Sequence, residues 1–119
     1  GVSSASDFTL ENTNYLLFNT PGVFQIIYRL STDIASGVSR TIAKGTLQRS
    51  INSGAWAAVA GTESFCYNRD ASSGENTACC AVILNVSANT RLRVVASRHA
   101  GSDTLRTVAN ACGLTVIGL

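Results

Sequence analysis

The alternation of apolar and polar side chains along the chain predicts a protein built from short β-strands. Between Gly22 and Leu30, large apolar residues recur at every second position, which is the pattern of a strand with one face turned toward a core. The turn sequence Pro21-Gly22 begins this segment and the polar run Ser31-Thr32-Asp33 follows it. We therefore predict that this strand, the clearest in the sequence, ends at Leu30.

Shorter segments of the same kind predict further strands. Ser39–Ser50 fits either one long, bent strand or two short ones, and Ala55–Val59 with Thr62–Tyr67 fits a hairpin around Gly61. Two polar segments, Asn68–Thr77 and Arg98–Asp103, are expected to be solvated loops. The remaining predicted strands are Phe8–Leu10, Tyr15–Phe18, Ala78–Val86, Arg91–Ser97 and Leu114–Leu119.

Many short strands and few helical signals predict an all-β fold. Ser36–Lys44 and Thr104–Ala111 also fit helical spacing, but both are rich in Ser, Thr and Val and lack a clear cap, which disfavours a helix. Strands that recur about every ten residues are typical of a sandwich or jelly roll. We predict a two-sheet antiparallel jelly-roll sandwich of eight to ten strands, with residues 1–119 forming a single domain.

The ends of the chain and its composition narrow the class of protein further. The absence of Met indicates that Gly1 is not a native start, and residues 1–7 are expected to be a flexible N-terminal segment. With 45% apolar and 13% charged residues, the chain is not of the disordered type. Its nine basic and seven acidic residues are scattered, which excludes a nucleic-acid platform. No apolar run approaches the ~20 residues that a membrane helix needs.

Four cysteines, Cys66, Cys79, Cys80 and Cys112, are the first candidates for chemistry. An even number in a Ser- and Thr-rich β domain is typical of an extracellular, oxidising setting. Cys79 and Cys80 are neighbours on a predicted strand and therefore point to opposite faces. We predict that Cys66 forms a disulfide with one of these two. The alternative is that all four are reduced thiols buried in the core.

The sequence gives no sign of catalysis or of a resident cofactor. Zinc is disfavoured because the adjacent cysteines lack the two-residue spacing and His99 is the only imidazole. A nucleophilic pair of His99 with a thiol lacks an orienting third group, and no catalytic motif is present, so we predict that the protein is not an enzyme. Calcium is considered because Asp70 and Glu75 share one loop and Asp103 lies in another, although Ca²⁺ usually takes six or more oxygens.

Several residues are candidates for binding a ligand. Arg91 and Arg93 share one face of a predicted strand, which indicates either a solvated face or a positive ridge for anionic glycans. Trp56, the only Trp, lies among small residues and either fills a core or subunit contact or stacks on a sugar or receptor. The candidate ligand-binding residues are Trp56, Asp70, Glu75, Arg98, His99 and Asp103.

The final strand predicts that the chain associates with itself. Leu114 and Val116 face one way while Ile117 and Leu119 face the other. A strand with two apolar faces needs cover on both, from its own core and from another chain; the alternative is that a loop of the same chain covers one side. The candidate residues of an interface are Tyr15, Phe18, Tyr28, Ile117 and Leu119.

Two parts of the sequence resemble a known family. Gly22–Tyr28 (GVFQIIY) is similar to the "G-V-Y" strand of complement globular-head and tumour-necrosis-factor-like domains. After Ala78 an apolar strand, a SANT turn, an RLRVVA strand, a GSDTL loop and a GLTVIGL end follow in the family's order. The resemblance covers residues 8–119. It is greatest to bacterial and viral members such as phage fibres and the C-terminal heads of collagen-like spore-surface proteins.

The resemblance implies a jelly roll that assembles as a tight homotrimer, trimerises a stalk and presents a binding surface without catalysis. We therefore expect a head domain outside the cell or on a virion or spore, whose loops meet a cell-surface receptor or a glycan. No nucleic acid and no membrane insertion are expected. Two alternatives remain: a lectin-type domain that binds glycans through Trp56, and a purely structural coat or capsid jelly roll.

Overall fold

The computed structural model describes residues 8–11, 15–37, 40–71, 74–108 and 110–119. The expectation for residues 1–7 lies outside these ranges. Within them the chain forms strands and turns and no helix, so none is long and apolar enough to cross a membrane. The strands are β1 (Phe8–Glu11), β2 (Tyr15–Phe18), β3 (Gly22–Ser36), β4 (Thr41–Ile51), β5 (Ala57–Ala58), β6 (Ser64–Asn68), β7 (Asn76–Val86), β8 (Thr90–Ala100), β9 (Thr104–Thr107) and β10 (Gly113–Gly118).

The strands form two antiparallel sheets, which confirms the predicted fold class. The six-stranded sheet has the order β1-β2-β8-β4, and β5 and β6 both pair with β4 on the side opposite β8. In the four-stranded sheet β3 is central. Strand β7 pairs along one edge of β3, while β10 and β9 pair with successive parts of its other edge. Each sheet thus contributes one inner and one outer face to the sandwich.

Strand β3 continues to Ser36, although the polar run after Leu30 predicted an end there. Ser31 and Thr32 are buried, with 5% and 2% of their surface exposed. Their hydroxyls have partners inside the protein: Ser31 donates to the carbonyl of Ala111 at 2.9 Å, and Thr32 donates to Oδ1 of Asn68 at 3.1 Å. Buried polar side chains with such partners are compatible with a strand, so the polar run does not end it.

Two further sequence predictions are corrected. Ala55–Val59 and Thr62–Tyr67 do not form a hairpin, because β5 and β6 each pair with β4 instead of with each other. Strand β4 has 11 residues and one edge long enough to take both, so the two options for Ser39–Ser50 resolve to one strand. Strand β8 continues to Ala100; the predicted loop Arg98–Asp103 is therefore reduced to a short turn.

The inner faces of the two sheets enclose an apolar core. The rings of Phe18 and Phe24 meet edge to face with centroids 4.9 Å apart. The Tyr28 hydroxyl reaches across to the other sheet, where it donates to the carbonyl of Thr62 at 2.5 Å and lies 2.7 Å from the Ser64 hydroxyl. Burial raises the pKa of Tyr28. The other core residues are Ile26, Leu30, Leu47, Val59, Val86 and Leu92.

One end of the interior is polar and fixes the loop between β6 and β7. The Asn68 side chain is fully buried; its amide donates to the carbonyls of Thr32 at 2.8 Å and Gly74 at 2.5 Å. Among the described residues every buried side-chain nitrogen and oxygen has a hydrogen-bond partner. The interior therefore accommodates these polar groups without an unpaired donor or acceptor.

Candidate functional site

Four side chains meet on the outer face of the six-stranded sheet: Tyr15 from β2, Trp56 from the segment before β5, and Arg91 and Arg93 from β8. We call them the Arg–aromatic cluster. The ring centroids of Tyr15 and Trp56 are 5.6 Å apart. The guanidinium carbon of Arg93 lies 4.1 Å from the centre of the Trp56 ring, and that of Arg91 lies 5.4 Å from the Tyr15 ring. Each arginine is thus within cation–π distance of one ring.

The local backbone explains why these side chains meet. Arg91 and Arg93 are two residues apart on β8 and point to the same face, while Leu92 between them is completely buried in the core. Trp56 follows a turn in which Asn52 and Ser53 have positive φ angles of 51° and 61°, the left-handed region that Asn tolerates well. This turn returns the chain toward the sheet and precedes β5.

Neighbouring polar groups hold both guanidinium groups in place. The Nε of Arg93 donates to Oε1 of Gln48 at 2.9 Å, and Nη1 of Arg91 donates to the hydroxyl of Ser53 at 2.5 Å. Both arginines are only partly exposed. Among the described residues the Nη groups of Arg93 have no acceptor, so the outward side of its planar fork is open to a ligand.

Two depressions flank the Tyr15–Trp56 pair. One has a volume of 540 Å³ and the other 260 Å³. Both are lined by the two rings, and each contains one of the two arginines. Besides the rings, the larger is lined by Arg93, Val94, Val95 and Ala96, and the smaller by Ser50, Ser53, Gly54 and Arg91. The arrangement offers two similar places, each with an aromatic wall and a positive charge.

A second group of aromatic residues lies farther along the same outer face. Phe65 and Tyr67 on β6 are 49% and 45% exposed. The imidazole of His99 meets the Phe65 ring edge to face, with centroids 4.8 Å apart. His99 was expected in a solvated loop; it is instead a strand residue packed against an aromatic ring.

The two predicted binding loops meet at one end of the sandwich. The Ala71 amide donates to the carbonyl of Gly37 at 3.3 Å, and the Asp103 carboxylate occupies the space where Gly37 would carry a side chain. Arg98 donates to the carbonyls of Ser102 and Asp103 at 3.1 and 3.4 Å. Arg98 therefore supports the turn after β8, which places it in a structural role.

The carboxylates considered for calcium are not gathered into a site. Among the described residues no three of His, Cys, Asp or Glu are close enough together to hold a metal ion. Asp33 accepts hydrogen bonds of 2.7 and 3.1 Å from Arg106. This hydrogen bonding and the charge of Asp33, with a smaller effect of Glu75, raise the pKa of Arg106.

All four cysteines are free, so the disulfide predicted for Cys66 is not present. Cys66 is buried with its sulfur 3.2 Å from the Thr32 hydroxyl. As predicted, the adjacent cysteines face opposite sides: Cys79 is exposed, while the sulfur of Cys80 lies 3.9 Å from the carbonyl of Gly61 and burial raises the pKa of its thiol. The alternative of four buried thiols is also wrong, because Cys79 and Cys112 are exposed.

The five residues predicted for an interface differ in how deeply they are buried. Phe18 and Tyr28 are 0% and 1% exposed in the core of a single chain. Neither offers surface to a second chain, so the prediction is corrected for these two. Tyr15 belongs to the Arg–aromatic cluster. Ile117 and Leu119 lie on the outer face of the four-stranded sheet and are 43% and 53% exposed.

Ile117 and Leu119 belong to a larger apolar surface. Strand register aligns Ile117 with Gln25 and Gln25 with Ile83, and the Leu119 amide donates to the carbonyl of Val23 at 3.0 Å. Val23 and Ile83 are 42% and 61% exposed. We call this surface the apolar face; its members are Val23, Ile83, Ile117 and Leu119. Val23 and Ile83 are not among the residues predicted for an interface, although both alternate with inward-facing residues and are therefore predictable as outward-facing.

A cavity of 490 Å³ opens between the two sheets beside β10. Strand β10 lies at the edge of its sheet, and no strand among the described residues pairs with its second edge. Tyr15, Arg29, Arg93 and Cys112 also line the cavity. Its apolar lining consists of Leu16, Leu30, Leu92, Val94 and Leu114. The core is thus accessible at this side of the sandwich.

Comparison with known proteins identifies the architecture. No protein-family model and no curated protein matches the sequence. Among solved structures, the Eiger TNF from S. frugiperda superposes with a TM-score of 0.69 at 17% identity, over 94% of this chain and 68% of that one. The globular domain of the zebrafish complement 1qA protein gives a TM-score of 0.63 at 12% identity, over 98% of this chain and 77% of that one. The fold is a TNF-like jelly roll.

The TNF-like jelly roll accounts for the segments on which the resemblance was based. Gly22–Tyr28 is the first half of the central strand β3, and the segments after Ala78 form β7, β8 and β10 in order. At the identities found, the likeness establishes the fold alone. What the surfaces of this jelly roll do follows from its own side chains.

Proposed function

We propose that this TNF-like jelly roll is the non-enzymatic, homotrimeric head of a surface, fibre or collagen-like protein, similar to bacterial and viral heads of that kind. In this proposal it lies outside the cell or on a virion or spore, trimerises a stalk and presents loops to a receptor or ligand. The observation that carries the proposal is the apolar face, with four large aliphatic side chains between 42% and 61% exposed on one sheet.

The apolar face is unusual for the outside of an antiparallel sheet. Such sheets normally have an apolar inner face and a polar outer face. Here aliphatic residues project from both sides of β10 and β7, with Gln25 the polar residue in the row between Ile117 and Ile83. Large contiguous apolar patches on soluble proteins usually mark sites of association. Another copy of the chain would cover these aliphatic side chains, which a single copy leaves exposed to water.

The position of β10 supports association through two different surfaces. An edge strand with exposed apolar residues invites pairing with another chain. The apolar face lies on one side of β10, and the cavity lined by Leu114 opens on the other. A contact between two unlike surfaces of neighbouring copies is heterologous, and such contacts close into rings when the rotation permits. A ring of three is the assembly that the family resemblance implies.

The loop end of the sandwich is the natural place for a receptor in this proposal. Ala71 and Asp103 both contact Gly37 there, and the Asn68 amide joins Gly74 to the core. Loops held by a rigid scaffold commonly carry binding residues. Asp70 and Asp103, both partly exposed, are the charged side chains that we propose for this contact.

Light scattering coupled to size-exclusion chromatography at micromolar concentration tests the proposal. The expected mass is three times the chain mass of 12.4 kDa, and it should be unchanged over a tenfold dilution. A monomer at this concentration contradicts the proposal. Closed particles of many copies would favour the coat or capsid alternative.

A further inference from the structure

We propose that the Arg–aromatic cluster binds an anionic polysaccharide, with acidic groups of successive sugars in the two depressions beside Tyr15 and Trp56. The acidic groups are carboxylates or sulfates, which present the same anionic oxygens to a guanidinium group. This names a ligand class for the head proposed above and depends on that proposal only for the setting in which such glycans occur.

The arginines are positioned to recognise anions. Arg93 is fixed by its Nε bond to Gln48 and by the Trp56 ring 4.1 Å away, so little side-chain freedom is lost when its Nη groups bind oxygen atoms. Arg91 is fixed in the same way by Ser53 and the Tyr15 ring. Guanidinium groups bind carboxylates and related oxyanions through paired hydrogen bonds.

The aromatic rings favour a sugar over a simple ion. Tyr15 and Trp56 form a tilted pair with an interplanar angle of 60° and line both depressions. An amphipathic ligand with apolar C–H groups and polar edges fits such a wall, because aromatic rings contribute a large contact area at low entropic cost. The repeat of one arginine and one aromatic wall per depression suits a ligand with repeating units.

The cluster lies on the face of the sheet, whereas peptides that add to sheets bind unpaired strand edges. At Arg91 β8 is paired on both sides, with Leu17 opposite on one edge and Ser50 on the other. Beyond Leu92, among the described residues, β8 pairs with β4 alone, with Gln48 opposite Arg93. A ligand that lies on this face meets side chains alone, and poly-L-glutamate tests binding by a peptide. Two arginines in a chain of net charge +2 are also too few for a nucleic-acid backbone.

The electrostatic setting is favourable. No described carboxylate lines either depression, so the charge in their described lining comes from the two arginines alone.

Isothermal titration of the chain with four probes tests the proposal: a heparin hexasaccharide, a hyaluronan hexasaccharide, maltohexaose and poly-L-glutamate. Binding of either anionic hexasaccharide with no binding of maltohexaose or poly-L-glutamate is expected. The first two probes distinguish sulfate from carboxylate as the preferred group. Equal binding of poly-L-glutamate would show that the site recognises charge alone and would overturn the glycan assignment, as would the absence of binding by both anionic hexasaccharides at millimolar concentration.

Variants locate the site. Trp56→Ala and Arg93→Lys should each weaken the binding of the preferred hexasaccharide by about tenfold or more. Trp56→Ala removes the aromatic wall, and Arg93→Lys removes the planar guanidinium group. Phe65→Ala is the matched control, an exposed aromatic on the same outer face, and should leave affinity unchanged. An equal loss in Phe65→Ala, or no loss in Trp56→Ala, would place the binding elsewhere and overturn the proposal.

Thermal unfolding and light scattering of the same variants separate this inference from the proposed assembly. Arg93→Lys keeps the charge and is not expected to alter either measurement, so it remains informative if Trp56→Ala unfolds. A trimer without glycan binding overturns the site and leaves the head intact. A monomer that binds the glycan supports the site and contradicts the trimer.

Discussion

Both outer faces of the sandwich consist of antiparallel strands, but they carry different side chains. On the four-stranded sheet the outward positions hold Val23, Ile83, Ile117 and Leu119, all at least 42% exposed. On the six-stranded sheet they hold Arg93 beside the Trp56 ring and Arg91 beside the Tyr15 ring. The inner faces both contribute to one core. The fold therefore determines which positions face outward, and the residues at those positions determine what each face contacts.

The contrast also explains why the likeness in fold does not determine function. A sandwich is stable when its inner faces are apolar, whatever its outer faces carry. An aliphatic outer face favours contact with a similar surface that excludes water. An outer face of arginines and aromatic rings favours a ligand that is partly polar and charged. We propose self-association for the first and ligand binding for the second.

The largest expected effect is the loss of assembly when the apolar face is charged. Ile117→Lys places an ammonium group at the centre of the proposed contact, where its desolvation is unfavourable. The measured mass should fall from three chains to one in light scattering, and deletion of Ile117–Leu119 should do the same. Phe65→Lys, at a similarly exposed position on the other sheet, should remain a trimer. An unchanged mass for Ile117→Lys would show that the apolar face is not the contact between copies.

A change in the interior, which both sheets share, should lower the stability of the whole sandwich. Asn68→Ala leaves the carbonyls of Thr32 and Gly74 without their donor, which is expected to lower the free energy of unfolding by about 1–3 kcal/mol. Chemical denaturation measures this loss. Ser97→Ala, at an exposed position on β8, serves as the control and should be nearly neutral. Equal stability of Asn68→Ala and the unaltered chain would show that the polar end is unimportant to the sandwich.

The contact between the sheets through Tyr28 should weaken at alkaline pH. Burial raises the pKa of Tyr28 above its ordinary value of 10.0, so above pH 10 the unfolded chain releases a proton that the folded protein retains. Its contribution to stability is complete below pH 10 and falls as pH rises toward the folded pKa. Urea unfolding from pH 8 to 11 should show this decline, less steeply in Tyr28→Phe.

Tyr28→Phe should itself lower stability at neutral pH by about 1 kcal/mol through loss of the hydroxyl's hydrogen bonds. Cys80, whose pKa is also raised by burial from 9.0, should leave a residual decline in the variant. An identical pH dependence in both proteins would contradict the role given to Tyr28.

The smallest effect concerns thiol accessibility and leaves stability unchanged. Cys79 and Cys112 are exposed, Cys80 is half-buried and Cys66 is buried, so a thiol reagent should label the first two quickly, Cys80 slowly and Cys66 only after unfolding. Because Cys79 shares its sheet face with the apolar residues, it should react faster in Ile117→Lys than in the unaltered chain if the proposed assembly covers that face. Fewer than four reactive thiols in the denatured, unreduced chain would contradict the free cysteines.

Local pattern was sufficient to predict most strands and their inward faces. Burial of every second side chain is visible in sequence, so β3, β7, β8 and β10 were found, and the shared face of Arg91 and Arg93 followed from their spacing. The length of β3 was not predictable, because Ser31 and Thr32 are satisfied by Ala111 and Asn68, which are distant in sequence. Polar side chains with remote partners look like turn residues until the fold is known.

The candidate site was predictable only in parts. Trp56 was among the predicted ligand-binding residues, Arg91 and Arg93 were left open between a solvated face and a positive ridge, and Tyr15 was assigned to an interface. Its contact with Trp56 joins residues on opposite sides of β8 and β4, and it depends on the turn at Asn52-Ser53. No local pattern specifies such a contact. The disulfide predicted for Cys66 is also absent for reasons that only the fold shows: Cys79 points outward, and the sulfur of Cys80 lies beside the carbonyl of Gly61.

Trp56 is the only tryptophan in the chain, and its indole lies under a guanidinium group at 4.1 Å. The tryptophan fluorescence of the whole protein thus originates from one indole that lines both depressions. Any molecule that moves Arg93 or excludes water from that indole should alter the intensity or wavelength of emission. The emission of the unlabelled protein therefore reports whether a ligand occupies this surface.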